Sequence, residues 1–330
     1  MPPIVASALH RHTPVMLCVL SLPSQEMEEL KTAMHDLGTA LLHAEPALST
    51  ALEGSLTGIA IASGDHVTRL KWHRLQRSRS DLPFTPRRLL EGLAAGASME
   101  VDLRLHADHS FVCLHDASLD RETSGTGPVA AASLEQIRCL TLRGREGSSG
   151  EGLILLEDLA ELARGVAAPD ALIQLDLKET DAALDRQTVE NFRRTLACVA
   201  GRCILSGGDW KAISRLADAV PAMRRGFDPC AEDTLEHLRD GIDCLDFVES
   251  TLATAPEAEM IYLDYRLILA AEGLGIDLVA PFRAAGKAVD AWTLNTSHAG
   301  AARSVKRLVA LKVDQITTDE PDALQALFEA

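Results

Sequence analysis

The sequence predicts an α/β fold: a (β/α)8 TIM barrel preceded by an N-terminal extension. Three observations predict it. Short β-like runs alternate with helical segments over most of the chain, the pattern of parallel βα units. Eight of those runs qualify as parallel strands, the number that closes a barrel. The polar residues that interrupt the apolar strands fall near their C-terminal ends, where barrels of this kind carry their active sites. A chain of 330 residues, 47% of them hydrophobic, is long enough for one such domain, which commonly needs about 250 residues plus decorations.

Residues 1–64 hold no chemical motif. Ser24 ahead of residues 26–42 reads as the cap of an amphipathic helix, with Met27, Leu30, Met34, Leu37 and Leu41 at helical spacing. Such a helix would pack on the barrel or cover one end. The turn Ser63-Gly64-Asp65 marks the boundary, and residues 65–330 form the barrel domain. Its first strand is expected over 67–73 and a helix over 86–95. The second strand spans 99–105, followed by a short extended run at 111–114, a Gly-rich turn at 124–128 and helices at 133–140 and 156–164. Strand 171–177 leads to helix 185–200, strand 203–206 to helix 210–219, and strand 223–227 to helix 231–239. Strands at 259–264, 288–294 and 315–318 complete the eight, with helices at 301–308 and 321–328.

The 48 acidic against 32 basic side chains give a net charge of −16, and no basic run is present. The long-range field therefore opposes nucleic acid and anionic membranes as partners. A phosphate-bearing small molecule needs a local cation to overcome that field, and a divalent ion supplies one. The seven cysteines are odd in number, scattered and never spaced CxxC, which fits reduced thiols rather than a disulfide framework or a zinc site. No apolar stretch approaches the roughly 20 residues of a membrane span. Residues 14–22 have the length of a short signal-peptide core but lack a small-x-small cleavage site, so a cytoplasmic location is the default and secretion the alternative.

Glu100 and Asp102, two apart on a strand, share one face and point into the barrel mouth. Like charges at that spacing resist burial unless a cation lies between them, and an all-oxygen pair favours Mg2+ or Ca2+ over zinc. A solvated strand face of alternating charge has the same pattern. Asp176, inside an apolar strand, is a third such carboxylate, and Lys178 points to the same side, suited to a phosphate oxygen or to a buried ion pair with Asp176. His73-Arg74 and His115-Asp116 each follow an apolar run. Two imidazoles near neutral pH can share the base and acid roles that phosphodiester cleavage demands. His106 and His109 lie in a polar turn and read as solvated.

The stretch from His73 to Val129 resembles the signature of the glycerophosphodiester phosphodiesterase family. It contains His73-Arg74, Glu100-Val101-Asp102, His115-Asp116 and Leu119-Asp120-Arg121-Glu122-Thr123-Ser124-Gly125-Thr126-Gly127, in order. Gln174-Leu175-Asp176-Leu177-Lys178, Ala291-Trp292-Thr293-Leu294-Asn295 and Thr317-Thr318-Asp319-Glu320-Pro321 resemble its later segments. The resemblance implies that Glu100, Asp102 and Asp176 hold one divalent cation. It implies that Arg74 and Lys178 clamp phosphate oxygens, that His73 and His115 act as general base and acid, and that Trp292 walls the substrate. The expected reaction is hydrolysis of a glycerophosphodiester to an alcohol and a glycerol 3-phosphate type product.

The departures are specific. Leu75 stands where the family has Gly, and Leu82-Pro83-Phe84-Thr85 where it has Pro-Glu-Asn-Thr. Asp176 replaces a glutamate, similar to the Asp-x-Lys of sphingomyelinase D relatives. The basic segment Arg77-Ser78-Arg79-Ser80 is either a phosphate or sugar contact or a solvated loop. These changes keep open a related transferase or lyase acting on a sugar phosphodiester, like the opine-type agrocinopine synthases, or forming a cyclic phosphate. A catalytically dead barrel acting as a binding module is a third reading, which the retention of both histidines and all three acids disfavours. Oligomeric state is not legible.

Overall fold

The computed structural model describes residues 57–144, 147–166, 171–231, 233–237 and 241–330. The helix expected over 26–42 lies outside them. The compact unit that holds the barrel runs Ser55–Ala330.

Eight parallel strands close on themselves: β1 (His66–Trp72), β2 (Ser98–Leu105), β3 (Leu172–Leu177), β4 (Cys203–Ser206), β5 (Arg224–Phe227), β6 (Met260–Asp264), β7 (Ala288–Trp292) and β8 (Gln315–Thr318). β8 pairs with β1, and β1 pairs with β2 through Lys71↔Ser98 and Trp72↔Met99, which shuts the ring. The expected barrel is thus the observed one. Its outward residues alternate with inward ones and are apolar: Leu70, Val101, Leu175, Leu205, Ile261, Val289 and Ile316 are all essentially inaccessible and pack under the helices.

Helix Pro86–Ala95 shows how the sequence fixes an element. Thr85 caps it by accepting from the Arg88 backbone N–H, Pro86 fills the first turn, and Gly96 ends it in the left-handed region at φ 68°. A side chain at Gly92 would meet Met99 Sδ at 2.1 Å, so glycine there lets the helix lie directly on β2.

The strand Ala60–Ser63 pairs antiparallel with β1 and was not expected. Helices Gly241–Thr254, Tyr265–Gly273 and Val279–Ala284 were also missed, while the helix expected over 231–239 is Thr234–His237 among the described residues. Tyr265–Gly273 begins on the residue after β6, with Asp264 as its cap, so no loop separates the two periodicities.

Between β2 and β3 the chain makes a long excursion. Phe111–Cys113 runs back antiparallel along the end of β2. A capped helix, Leu134–Arg138, and a hairpin, Thr141–Gly144 with Gly147–Gly152, follow. Val112, Leu114, Leu119, Ile137, Leu142 and Leu155 give the excursion a small core of its own. Among the described residues, no helix is long and apolar enough to cross a membrane.

Candidate active site

At the C-terminal mouth of the barrel a cavity of 340 Å³ is lined by His73, Arg74, Glu100, His115, Asp176, Lys178 and Trp292, together with Lys71, Asp228, Tyr262 and Thr317. Asp102 is buried beside them, against Lys178 and Arg74. Every residue singled out for chemistry therefore converges on one place.

The carboxylates sit as strand alternation requires, with Asp102 and Asp176 in register on β2 and β3. Glu100, Asp102 and Asp176 each offer an oxygen within 4.8 Å of the others. Burial, with Asp176's charge added, pushes the Glu100 carboxyl up. Burial and then Glu100 push Asp102 up to about 6. For Asp176 burial is outweighed by Lys178 and the Ser206 hydroxyl, which hold it below the usual range. Lys178 Nζ lies 2.5 Å from Asp176 Oδ2 and 2.8 Å from Asp102 Oδ1, and Arg74 Nε lies 3.2 Å from Asp102 Oδ2. Neither Asp102 oxygen makes an aligned hydrogen bond despite these neighbours. A buried carboxylate that has ion-pair neighbours but no aligned hydrogen bond, in an all-oxygen cluster, fits a hard divalent cation.

His73 follows β1 directly. Its Nδ1 is 2.6 Å from Asp319 Oδ1, and Asp319 in turn accepts from Asn295 Nδ2 (2.6 Å) and donates its backbone N–H to Asn295 Oδ1 (2.9 Å). Burial opposes ionisation of Asp319, but the hydrogen bond and charge of His73 prevail and hold it below the usual range. His115 reaches the mouth because Cys113 pairs with Leu103 and the antiparallel run returns toward Asp102, whose carbonyl accepts the Leu114 N–H. Its Nδ1 is 2.9 Å from Asp116 Oδ1. Arg121 grips both Asp116 oxygens at 2.5 and 2.6 Å, and Glu122 accepts the backbone N–H groups of His115 and Asp116. His115, Asp116 and Glu122 also cluster, but those acids are committed to Arg121 and the backbone. They orient the imidazole. In both histidines a carboxylate holds Nδ1, which leaves Nε2 for chemistry.

Arg74 and Leu75 have φ of 52° and 62°. This left-handed turn lets the Arg74 N–H donate to Glu100 Oε2 at 2.6 Å. Asp319, Asn295, Asp116 and Glu122 were not assigned roles in advance. Their signal was present, since all four lie inside the quoted motifs, but a supporting carboxylate is recognisable only once its histidine is beside it. Two expectations need correction. His106 is buried, 2% exposed, with burial lowering its pKa, whereas His109 is half exposed beside Asp185. In the basic segment, Arg77 is not a freely solvated side chain: it is bonded to Asp322 and Glu91 and lies over Trp72.

The model of the glycerophosphoryl diester phosphodiesterase family matches residues 88–323, more than two thirds of the chain. The chain belongs to this family. The family's members are phosphoric diester hydrolases. The match begins at Arg88 and so does not include His73 and Arg74, which line the same cavity. Solved structures agree on the fold. A glycerophosphodiester phosphodiesterase from Thermotoga maritima is 20% identical, with a TM-score of 0.57, covering 80% of this chain and 100% of that one. One from Agrobacterium tumefaciens is 21% identical with the same TM-score and coverage. An Oleispira antarctica phosphodiesterase in complex with the product sn-glycerol-3-phosphate is 18% identical, with a TM-score of 0.57, covering 79% of this chain and 96% of that one. No curated protein sequence matches the chain.

Proposed function

We propose that this family member hydrolyses a glycerophosphodiester-like small molecule to an alcohol and a phosphomonoester of the glycerol 3-phosphate type, with His73 and His115 as the acid–base pair. The observation that carries this is two imidazoles, each with Nδ1 held by a carboxylate, lining one cavity with a three-carboxylate cluster. Glu100, Asp102 and Asp176 would hold one Mg2+ or Ca2+, which when bound neutralises phosphate charge. Arg74 and Lys178 bind the remaining phosphate oxygens. One Nε2 takes the proton of the attacking water as its oxygen bonds to phosphorus. The other, protonated, gives a proton to the alcohol oxygen as its bond to phosphorus breaks. Trp292 walls the substrate. The product bound by the Oleispira antarctica protein supports this substrate class.

A second cavity, 660 Å³, shares Trp292 and Thr293 with the first and adds Asp264, Tyr265, Arg266, Ser297 and His298. It offers room for a bulky hydroxylated alcohol such as a sugar, the substrate of a second reading in which transfer to a sugar hydroxyl or cyclic phosphate formation replaces hydrolysis.

Phosphorus NMR of glycerophosphocholine with Mg2+ or Ca2+, with chelator, and with the His115→Ala variant tests the first reading. It expects glycerol 3-phosphate to appear only with metal and with His115. An unchanged spectrum despite metal binding moves the assignment to the sugar phosphodiester.

A further inference from the structure

The interior of a (β/α)8 barrel is ordinarily filled by layers of Val, Ile and Leu. Below the mouth of this one lies a layer of polar side chains drawn from β1, β3, β4, β7 and β8. Lys71, Gln174, Ser206, Asp290, Gln315 and Thr317 are each at most 6% exposed. Lys71 Nζ bonds Gln174 Oε1, lies 3.2 Å from Asp290 Oδ2, and sits 4.5 Å from the centroid of the Tyr262 ring. Asp290 accepts from Gln315 Nε2 at 2.6 Å and from Thr317 Oγ1 at 2.7 Å.

Burying an ammonium and a carboxylate is a poor device for stability, because well-packed apolar residues of similar volume usually do as well or better. The layer is explained by where it leads. Gln174 Nε2 donates to Ser206 Oγ at 2.8 Å, and Ser206 Oγ donates to Asp176 Oδ1 at 2.8 Å. The direction of this chain is fixed from its far end. An ammonium has three donors and no acceptor, so it must face the amide oxygen of Gln174. That turns the amide nitrogen toward Ser206. The hydroxyl, already accepting there, points its single hydrogen at Asp176.

We propose that Lys71 is a positioning residue for the catalytic centre, fixing the orientation of the Asp176 carboxylate through Gln174 and Ser206. The inference rests on the reading of Asp176 as a cation ligand. A partner bonded directly to a metal ligand, as Ser206 is to Asp176, is typically worth about 10–100-fold in metal affinity, and Lys71 acts on Asp176 from three hydrogen bonds away.

Mn2+ binding to the full chain, followed by calorimetry and by the paramagnetic signal of the free ion, tests it without reference to turnover. Ser206→Ala should weaken Mn2+ binding by about 10–100-fold with little change in melting temperature, and Lys71→Met should weaken it by a smaller factor, at a lower melting temperature because the buried Asp290 carboxylate loses its partner. Ser206→Thr, which keeps the hydroxyl, should bind nearly as the parent does. Should Lys71→Met fail to fold, Lys71→Met/Asp290→Leu removes both buried charges together and carries the same expectation for Mn2+ binding. Parental Mn2+ affinity in Ser206→Ala and the lysine variant, with affinity lost in Asp176→Asn, would overturn the inference and leave the cation site standing. Parental affinity in Asp176→Asn itself would overturn both.

Discussion

Two of this chain's departures from its family fall on left-handed backbone. Leu75, where the motif resemblance expects glycine, has φ 62°, and Phe84, where it expects asparagine, has φ 55°. Glycine adopts that region freely and asparagine tolerates it, whereas other L-residues lose roughly 1–2 kcal/mol there. Both substitutes are almost fully buried, so apolar packing offsets the strain. Leu75→Gly therefore relaxes the backbone but empties a core site, whose truncation to alanine alone typically costs about 2–5 kcal/mol. Urea denaturation should show net destabilisation of about 1–3 kcal/mol. Asp319 is testable through pH. Its folded pKa lies below the unfolded value, so its stabilisation is complete above that value and is lost as pH falls through the folded one. The melting-temperature deficit of Asp319→Asn should shrink as pH falls below about 4. At pH 7 the variant should also lose turnover, by less than the roughly 10²–10⁴-fold expected for His73→Ala.

Elements differed in legibility for physical reasons. The eight barrel strands were readable because their outward faces lie under helices and their active-site residues interrupt apolar runs. Helix Tyr265–Gly273 was not, because it follows β6 without a break and is too apolar to show a polar face. His106 looked solvated in a polar turn, yet the excursion folds over it. The polar layer beneath the site was the least readable feature. Lys71 and Asp290 lie in separate strands far apart in the sequence, and only barrel closure brings them together. The helix Pro86–Ala95 carries a prediction of its own. Gly92→Ala would drive a Cβ into Met99, next to Glu100, and overpacking of this kind typically costs about 1–3 kcal/mol. Thermal unfolding should show that loss, because the buried Met99 side chain must repack.

At the scale of the whole molecule the two imidazoles belong to different parts of the architecture. His73 extends from a barrel strand and is held by Asp319 after β8. His115 rides on the excursion, which is anchored in the large cluster under the barrel helices by Phe111, Cys113 and Ile154 but between those anchors rests on a small core of its own. Regions with few buried apolar contacts open at lower free energy than the core they are attached to. Enzymatic activity should therefore disappear at a urea concentration below the one at which far-ultraviolet circular dichroism reports loss of the barrel. The active state would then be a docked arrangement of two cooperative units. A ligand bridging both histidines would act as a clasp, slowing amide hydrogen exchange in the excursion while leaving the barrel strands as protected as before.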